Sequence, residues 1–103
     1  MTATARIEEL RGSIDLLDRQ IVGLLAARTR VVRELTEYKS DEEAVRSPDR
    51  VAQVIAKVRR LADEQGMPPG IAEATYRTLV AELTALQLDR LAERRAAAPE
   101  GMS

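Results

Sequence analysis

The sequence contains no cysteine, no histidine, no tryptophan and no phenylalanine, and two tyrosines are its whole aromatic supply. Without cysteine and histidine the chain has no thiolate nucleophile, no disulfide, no serine–histidine triad and no ordinary zinc site. Two tyrosines also offer little surface for stacking nucleobases or a flavin ring. Any chemistry must therefore depend on arginine, lysine, carboxylates, amides or hydroxyls, and we expect neither a metal nor a cofactor.

A strong net charge and a long apolar run are also missing. The 16 basic residues nearly balance the 17 acidic ones, and the net charge of -1 gives no field that would attract nucleic acid or an anionic membrane. The N-terminal residues lack the apolar segment of a signal peptide, and no stretch approaches the roughly 18 apolar residues of a membrane span. We therefore expect a cytoplasmic protein with neither a nucleic-acid nor a membrane partner.

The composition that remains is that of one small helical domain. A length of 103 residues allows a single domain, and an apolar content of 45% is enough for a packed core. No β pattern occurs, whereas helical periodicity runs through most of the chain. We predict an all-α domain over residues 1–95, followed by a disordered tail over 96–103, where the periodicity is lost.

The first segment, residues 4–38, lacks proline and is predicted to form one long helix. Its apolar residues are spaced alternately by three and four, which is the heptad pattern of a packed helical seam. They are Ile7, Leu10, Ile14, Leu17, Ile21, Leu24, Val31, Leu35 and Tyr38. Such a helix is roughly 50 Å long, so two shorter helices cannot cover its stripe. Because soluble monomers avoid large exposed apolar patches, we predict a homodimer or a higher oligomer.

Two shorter helices are predicted after a loop at residues 40–46. Ser47 and Pro48 have the pattern of an N-cap followed by proline at the first helical position, and Gly66 marks the end of the second helix. The third helix is expected over residues 71–94. Residues at helical spacing are predicted to face inward on these two helices: Val51, Val54, Ile55, Val58, Leu61, Tyr76, Leu79, Val80, Leu83 and Leu86.

Arg28 occupies a position where the heptad pattern calls for an apolar residue. A buried guanidinium is costly unless an anion meets it. The anion belongs either to an interhelical salt bridge or register-fixing contact, as in coiled coils, or to a ligand. On an ideal helix Lys39 lies about 16 Å further along and within about 20° of Arg28, so both cations would share one face.

Arg11 lies about 25 Å from Arg28 along the same helix, so no small metabolite can touch both within one chain. If the first helices of two subunits paired antiparallel, Arg11 of one would approach the Arg28 and Lys39 region of the other, and two equivalent anion sites would form by symmetry. Otherwise Arg11 is a solvated residue near the helix start. Gln87 shares the inward face of the third helix, as a core amide or as a ligand donor. Arg50 opens the second helix, either as a surface residue or at an anion site.

These residues, taken together, resemble the all-helical (AroQ) chorismate mutase family over about residues 6–91. The resemblance is carried by charged and polar residues on three helices that agree in spacing as well as in type. They are Arg11, Asp15, Asp18, Arg28, Lys39, Asp49, Arg50, Arg77 and Gln87, set among apolar residues that also match. The likeness implies an intertwined homodimer of three-helix subunits with one long N-terminal helix and two shared active sites.

The resemblance also implies a function and roles for particular residues. The family converts chorismate, a compact dicarboxylate, to prephenate by a pericyclic rearrangement that uses no cofactor or metal. The position of Arg11 reaches the site from the partner subunit, and that of Arg28 binds a substrate carboxylate. The positions of Lys39 and Gln87 donate hydrogen bonds to the ether oxygen of the enolpyruvyl group. We therefore expect an isomerase of the chorismate mutase type in the shikimate pathway, which leads to the aromatic amino acids.

The chain departs from the family pattern in the rest of the expected pocket, where we place Ser47, Arg50, Val51 and Leu83. Housekeeping mutases have an acidic residue at the position of Val51, which meets the substrate's 4-hydroxyl group, and often a serine at that of Leu83. An apolar residue at the Val51 position is similar to the isochorismate–pyruvate lyase branch, which forms salicylate and pyruvate. A 4-amino-4-deoxychorismate mutase is a third possibility.

A non-catalytic interpretation of the same pattern is a helical dimerisation or regulatory module. In that case the seam of the first helix serves only assembly, and Arg28 is a buried charge that lowers the stability of the dimer. Replacement of Arg28 by alanine would then leave the dimer as stable or more stable. Ligand binding separates the two interpretations, because only an enzyme of this family is stabilised by chorismate-like diacids.

Overall fold

The computed structural model describes residues 2–98, which form three long helices and one short helix. In chain order they are α1 (Ala3–Thr36), α2 (Glu42–Arg46), α3 (Pro48–Gln65) and α4 (Pro69–Ala97). No strand occurs within this described range. The predicted all-α, three-helix architecture with a long N-terminal helix is confirmed. The chain divides into two compact units, one up to Val31 and the other from Val32 onward.

The first unit consists of α1 as far as Val31, and its apolar stripe is exposed in the single chain. The exposed fraction of the stripe's side chains in this unit ranges from 46% at Leu10 to 72% at Leu24. The heptad spacing thus predicted the helix correctly, and the packing of its apolar face against a second copy stays a prediction. No element of the same unit covers that face, because the unit contains α1 alone.

The core of the second unit lies between α3 and α4. Val54, Val58 and Ala62 of α3 pack with Ala72 of α4, and Tyr76 covers this cluster from one side. The prediction that Leu61 faces inward was wrong, because its side chain is 44% exposed and the neighbouring Ala62 is buried. Two long helices approach closely where a small residue takes the inward position.

The segment between α1 and α3 contains less loop and more helix than predicted. Residues 42–46, expected as loop, form α2, and the Asp41 side chain caps this helix by accepting a hydrogen bond from the Ala44 backbone N–H at 2.8 Å. The predicted first helix was also too long, since α1 ends at Thr36. The next residues continue in a tighter turn, in which the Lys39 N–H bonds to the Thr36 carbonyl at 3.0 Å. The ideal-helix projection from Arg28 therefore does not apply at Lys39.

Ser47 does not cap α3 with its side chain, although Pro48 is the first residue of that helix as predicted. Ser47 has φ 36° and ψ 67°, a left-handed backbone conformation, and its N–H bonds to the Glu43 carbonyl at 2.9 Å. A capping side chain needs an extended backbone to reach the first free N–H groups. Ser47 instead ends α2 and joins it directly to α3, and this geometry leaves its hydroxyl out of the cap.

Gly66 ends α3 as predicted. Its φ of 74° is left-handed, and its N–H bonds to the carbonyls of Ala62 and Asp63, which is the common glycine termination of a helix. The third long helix is longer than expected at both ends, from Pro69 to Ala97. The expected tail of 96–103 thus begins with two helical residues, and its residues 99–103 lie outside the described range.

Candidate functional site

Lys39 and Gln87 meet in the second unit. The Lys39 Nζ donates a hydrogen bond to the Gln87 Oε1 at 2.9 Å. The Gln87 side chain comes from the inward face of α4 and is only 6% exposed, whereas Lys39 is half-buried in the turn after α1. Two polar residues that are 48 positions apart in the sequence are therefore hydrogen-bonded to each other at the edge of the helical core.

Thr36 completes this cluster. It is fully buried, and its Oγ1 lies 2.6 Å from the Val32 carbonyl and 3.2 Å from the Gln87 Oε1. The Gln87 Nε2 donates to the Leu83 carbonyl at 3.2 Å. Because the Lys39 ammonium has no acceptor, the Gln87 amide must turn its oxygen toward Lys39.

The cluster retains donors for a ligand. A glutamine amide carries two N–H donors and a lysine ammonium three. One N–H of Gln87 goes to Leu83, and one N–H of Lys39 goes to Gln87. The remaining N–H groups of these two adjacent side chains can converge on one oxygen acceptor, with positive charge on one side and a neutral amide on the other.

Burial lowers the pKa of Lys39, because loss of water disfavours its charged form. The same dehydration lowers the local dielectric constant, so the ammonium attracts an incoming negative charge more strongly than a solvated lysine does. This is the electrostatic setting in which a fixed donor stabilises charge that develops on an oxygen during a reaction.

Arg11 and Arg28 both lie on α1 in the first unit. Arg11 is exposed and pairs with Glu8 on the preceding turn at 3.1 Å, whereas Arg28 is half-buried. Seventeen residues of helix separate them by about 25 Å. One chain thus cannot bring these two arginines to a single small ligand.

The remaining predicted pocket residues divide between two places. Leu83 is buried, and its carbonyl is part of the Lys39–Gln87 cluster. Arg50 is exposed on the first turn of α3, next to the half-buried Val51 and one turn after Ser47. Ser47, Arg50 and Val51 take no part in the hydrogen bond between Lys39 and Gln87.

Three residues of the site region were not predicted from the sequence. Besides Thr36, they are Arg94 of α4, which donates to the carbonyls of Thr36 and Lys39 at 3.0 and 2.8 Å, and Glu37, which pairs with Arg90 at 2.6 Å. Arg94 lies seven residues after Gln87, so extension of the inward face of α4 by two turns would have found it.

An open groove of about 710 Å³ adjoins the cluster within the second unit. Thr36 and Leu83 belong both to its lining and to the cluster, and Leu86 adds apolar surface. Charged residues of both signs complete the lining, among them Arg33 and Glu93. The groove is large enough for a small polar molecule or for a packed side-chain layer, but neither Lys39 nor Gln87 is among the residues that line it.

Two general features of the described residues bear on the kind of site. Residues 2–98 contain no group of three or more carboxylates arranged to hold a metal ion. None of the helices in this range combines the length and the apolarity that crossing a membrane requires.

Comparison with known proteins gives matches over most of the chain. The family model for chorismate mutase type II matches residues 10–88. The chain is 28% identical to an isochorismate pyruvate lyase from Pseudomonas aeruginosa, covering 89% of this chain and 91% of that protein. It is 28% identical to a 4-amino-4-deoxychorismate mutase from Streptomyces pristinaespiralis, covering 94% and 76% respectively. It is 26% identical to a chorismate mutase from Methanocaldococcus jannaschii, covering 85% and 90%.

The family match spans all three long helices and includes every predicted site residue from Arg11 to Gln87. It agrees with the resemblance on which the residue roles were based. The all-helical fold and this match lead to one conclusion: the chain belongs to the chorismate mutase type II family.

Proposed function

We propose that the protein converts chorismate to prephenate, without a cofactor, in a pocket built from Arg11, Arg28, Lys39 and Gln87. The observation that carries the proposal is the hydrogen bond of 2.9 Å between the Lys39 Nζ and the Gln87 Oε1. It holds two sets of N–H donors side by side, as expected for a pair that binds the ether oxygen of the substrate. In this assignment Arg28 binds a substrate carboxylate.

The reaction suits an enzyme without histidine or cysteine. In the rearrangement the ether C–O bond breaks while a new C–C bond forms, so neither a proton nor a covalent intermediate is required. The protein has to hold the reactive conformer and stabilise the charge that develops on the ether oxygen. An acceleration of about 10⁶ corresponds to roughly 8 kcal/mol of transition-state stabilisation. Two arginines that bind the substrate's carboxylates and two hydrogen-bond donors, in a pocket without water, can supply a stabilisation of this size.

The proposal requires a homodimer in which Arg11 comes from the partner subunit. Arg11 and Arg28 are about 25 Å apart along one helix, so a second chain must supply one of them to each site. The exposed apolar stripe of α1, on which Leu24 is 72% exposed, supports such pairing because two stripes would cover each other. Symmetry then produces two equivalent sites.

Isochorismate–pyruvate lyase activity is the second candidate, and Val51 is the residue that favours it. Val51 occupies the position where the family's housekeeping mutases carry an acidic group for the 4-hydroxyl of chorismate. The buried Leu83 makes the opposite helix apolar as well. Val51 offers no polar contact to that ring substituent, and the identity of 28% to the Pseudomonas aeruginosa lyase points the same way. The third candidate, 4-amino-4-deoxychorismate mutation, is supported by the Streptomyces pristinaespiralis relative.

The test is incubation of the purified protein with chorismate, isochorismate and 4-amino-4-deoxychorismate in separate reactions. Prephenate from chorismate, at a rate that exceeds the other two reactions, is the expected result. Salicylate and pyruvate from isochorismate, with no prephenate from chorismate, would overturn the mutase assignment in favour of the lyase.

The same samples also test the non-catalytic alternative. Chorismate and isochorismate are expected to raise the melting temperature, because a ligand that binds only the folded state stabilises it by mass action. Absence of turnover with all three compounds, together with an unchanged melting temperature, would instead indicate a helical dimerisation module.

A further inference from the structure

α4 holds the C-terminal end of α1 through the side chain of Arg94. The Arg94 Nη1 donates to the Thr36 carbonyl at 3.0 Å and to the Lys39 carbonyl at 2.8 Å. The Thr36 carbonyl also accepts the Lys39 N–H at 3.0 Å, so the guanidinium strengthens a turn that is already closed and binds the Lys39 carbonyl beyond it. The Arg94 side chain is only partly exposed, at 31%, which strengthens these charge-assisted bonds.

Arg94 and Gln87 fix the two ends of Lys39 from one face of α4. They are seven residues apart, which places them two turns apart on the same side of the helix. Gln87 accepts a hydrogen bond from the ammonium of Lys39, and Arg94 donates one to the Lys39 carbonyl. A lysine side chain has four flexible methylene groups, so an ammonium is well placed only if its backbone is held as well.

Arg90 gives a natural comparison, because it holds the same helix end without touching Lys39. Its guanidinium forms two short hydrogen bonds with the Glu37 carboxylate, at 2.6 and 2.9 Å. Arg94 approaches Glu37 only at 3.8 Å. The contacts that distinguish Arg94 from Arg90 are therefore the two backbone carbonyls, and one of them belongs to Lys39.

We infer that Arg94 is a positioning residue for the reaction: it fixes the backbone of Lys39, so that the ammonium group meets Gln87 and the reacting oxygen of the substrate. The reaction part of this inference rests on the proposed function. Arg94 does not touch the substrate in this scheme, and its effect passes entirely through Lys39.

The first arm of the test observes Lys39 directly. The chain has two lysines, Lys39 and Lys57, so protein labelled with ¹⁵N-lysine gives two ammonium resonances, and the exposed Lys57 is the internal reference. Arg94→Met is expected to shift the Lys39 resonance and to speed the exchange of its ammonium protons with water. Arg90→Met is expected to leave both resonances in place.

The second arm measures steady-state kinetics, on whichever of chorismate or isochorismate the wild-type protein converts. Because misplacement of a catalytic group by about 1 Å lowers rates by up to about 100-fold, Arg94→Met is expected to lower kcat by about 10- to 100-fold with little change in KM. Arg94→Lys retains one charged donor and is expected to restore part of kcat. Melting curves ensure that each variant is assayed while folded.

The two arms separate failure of this inference from failure of the proposed function. If Arg94→Met and Arg90→Met have the same effect on the Lys39 resonance and on kcat, Arg94 is merely structural and the inference is wrong. If the wild-type protein converts neither substrate, the proposed function fails, and the resonance still decides whether Arg94 positions Lys39. An unshifted Lys39 resonance in Arg94→Met overturns the inference in either case.

Discussion

At the scale of single residues, the buried amide of Gln87 is the centre of the candidate site. Gln87 accepts hydrogen bonds on its oxygen and still presents an N–H group, and its position is fixed by Lys39 and Leu83. A neutral donor of this kind can be buried without a counter-ion, whereas a second lysine there would need one. The cluster therefore pairs one charged and one neutral donor in a place where two charges would repel each other.

Replacement of Lys39 by glutamine tests the charged member of the pair. Removal of a donor that faces developing negative charge typically lowers kcat by about 100- to 1,000-fold, and we expect a loss of this size. Lys57→Gln is the matched control, because Lys57 is the chain's other lysine and is exposed on α3. Equal activity of the two variants in a prephenate assay would exclude Lys39 from the mechanism.

The pH dependence of the reaction provides a second test of Lys39. Burial lowers the pKa of Lys39, so its active ammonium form is lost as the pH rises through that lowered pKa. We expect kcat/KM to fall on the alkaline side, with a midpoint below the usual lysine value of about 10.4. The Lys39→Gln variant should have lost this alkaline limb. Persistence of the limb in the variant would assign it to another group.

Thr36→Val tests the buried hydroxyl beside Gln87. The substitution keeps the shape of the side chain and removes a hydroxyl that lies 2.6 Å from the Val32 carbonyl and 3.2 Å from the Gln87 Oε1, while the Gln87 oxygen retains its bond from Lys39. We expect the free energy of unfolding to fall by about 1 kcal/mol. Thr75→Val is the control, because Thr75 is exposed and bonds only to the carbonyl four residues before it. A drop no larger than that of the control would show that the hydroxyl does not engage Gln87.

Sequence reasoning found Gln87 and Lys39 but missed Thr36 and Arg94. Gln87 stands out because it interrupts an apolar face, whereas Lys39 was chosen from a helix projected beyond the actual end of α1 and from the family resemblance. Thr36 is unremarkable in sequence, because a threonine near the end of a long helix is usually solvated. Its burial depends on how closely α4 approaches, and that distance cannot be obtained from the periodicity of either helix alone. Arg94 lay on a detectable face, but arginine is frequent throughout this chain, so one more carried little information.

At the scale of elements, the C-terminal end of α1 is the segment on which the site depends. The helix ends at Thr36 although the heptad pattern continues to Tyr38. The arginines of α4 bind the Thr36 carbonyl and the Glu37 carboxylate, and the Lys39 N–H closes a tighter turn onto the same carbonyl. The pattern along α1 predicted the helix but not its end, which lies against the arginines of α4.

Glu37→Gln tests the ion pair that joins these elements. The hydrogen bond from Arg90 lowers the pKa of Glu37 below its ordinary 4.5. A carboxyl with a lowered folded-state pKa stabilises the fold above its unfolded-state pKa, and that contribution is lost as the pH falls through the folded-state value. We expect the variant to melt below the wild type near about pH 7, and the difference to shrink as the pH falls below 4.5 and through the lowered pKa of Glu37.

The control for this comparison is Glu64→Gln, which changes an exposed carboxylate on α3. Glu73, which also has a lowered pKa, is present in all three proteins and therefore cancels. A melting-temperature difference between Glu37→Gln and the wild type that stays constant with pH would contradict the role given to the Glu37–Arg90 pair.

At the scale of the whole molecule, the proposed site needs more than one chain. The α1 stripe is exposed, and the two arginines expected to clamp the substrate lie about 25 Å apart on one helix. The Lys39 and Gln87 pair, in contrast, is completed within one chain. The proposed site therefore consists of one part that a single chain builds and one part that only a second chain can supply.

This division predicts which pairs of inactive variants can rescue each other. When Arg11→Ala and Arg28→Ala subunits are mixed and allowed to exchange, half of the dimers are heterodimers, and each heterodimer keeps one of its two sites intact. The Lys39→Gln and Gln87→Leu pair is the control. Since both residues of that pair come from one chain, every site in the heterodimer lacks one of them.

The most direct test of a site shared between two chains is prephenate formation by the mixture of Arg11→Ala and Arg28→Ala subunits after exchange. We predict recovery to about a quarter of the wild-type rate, because random pairing leaves about one site in four intact. The Lys39→Gln and Gln87→Leu mixture should stay inactive. No recovery in the first mixture, with subunit exchange verified by mass spectrometry and the wild type active, would contradict a site assembled from two chains.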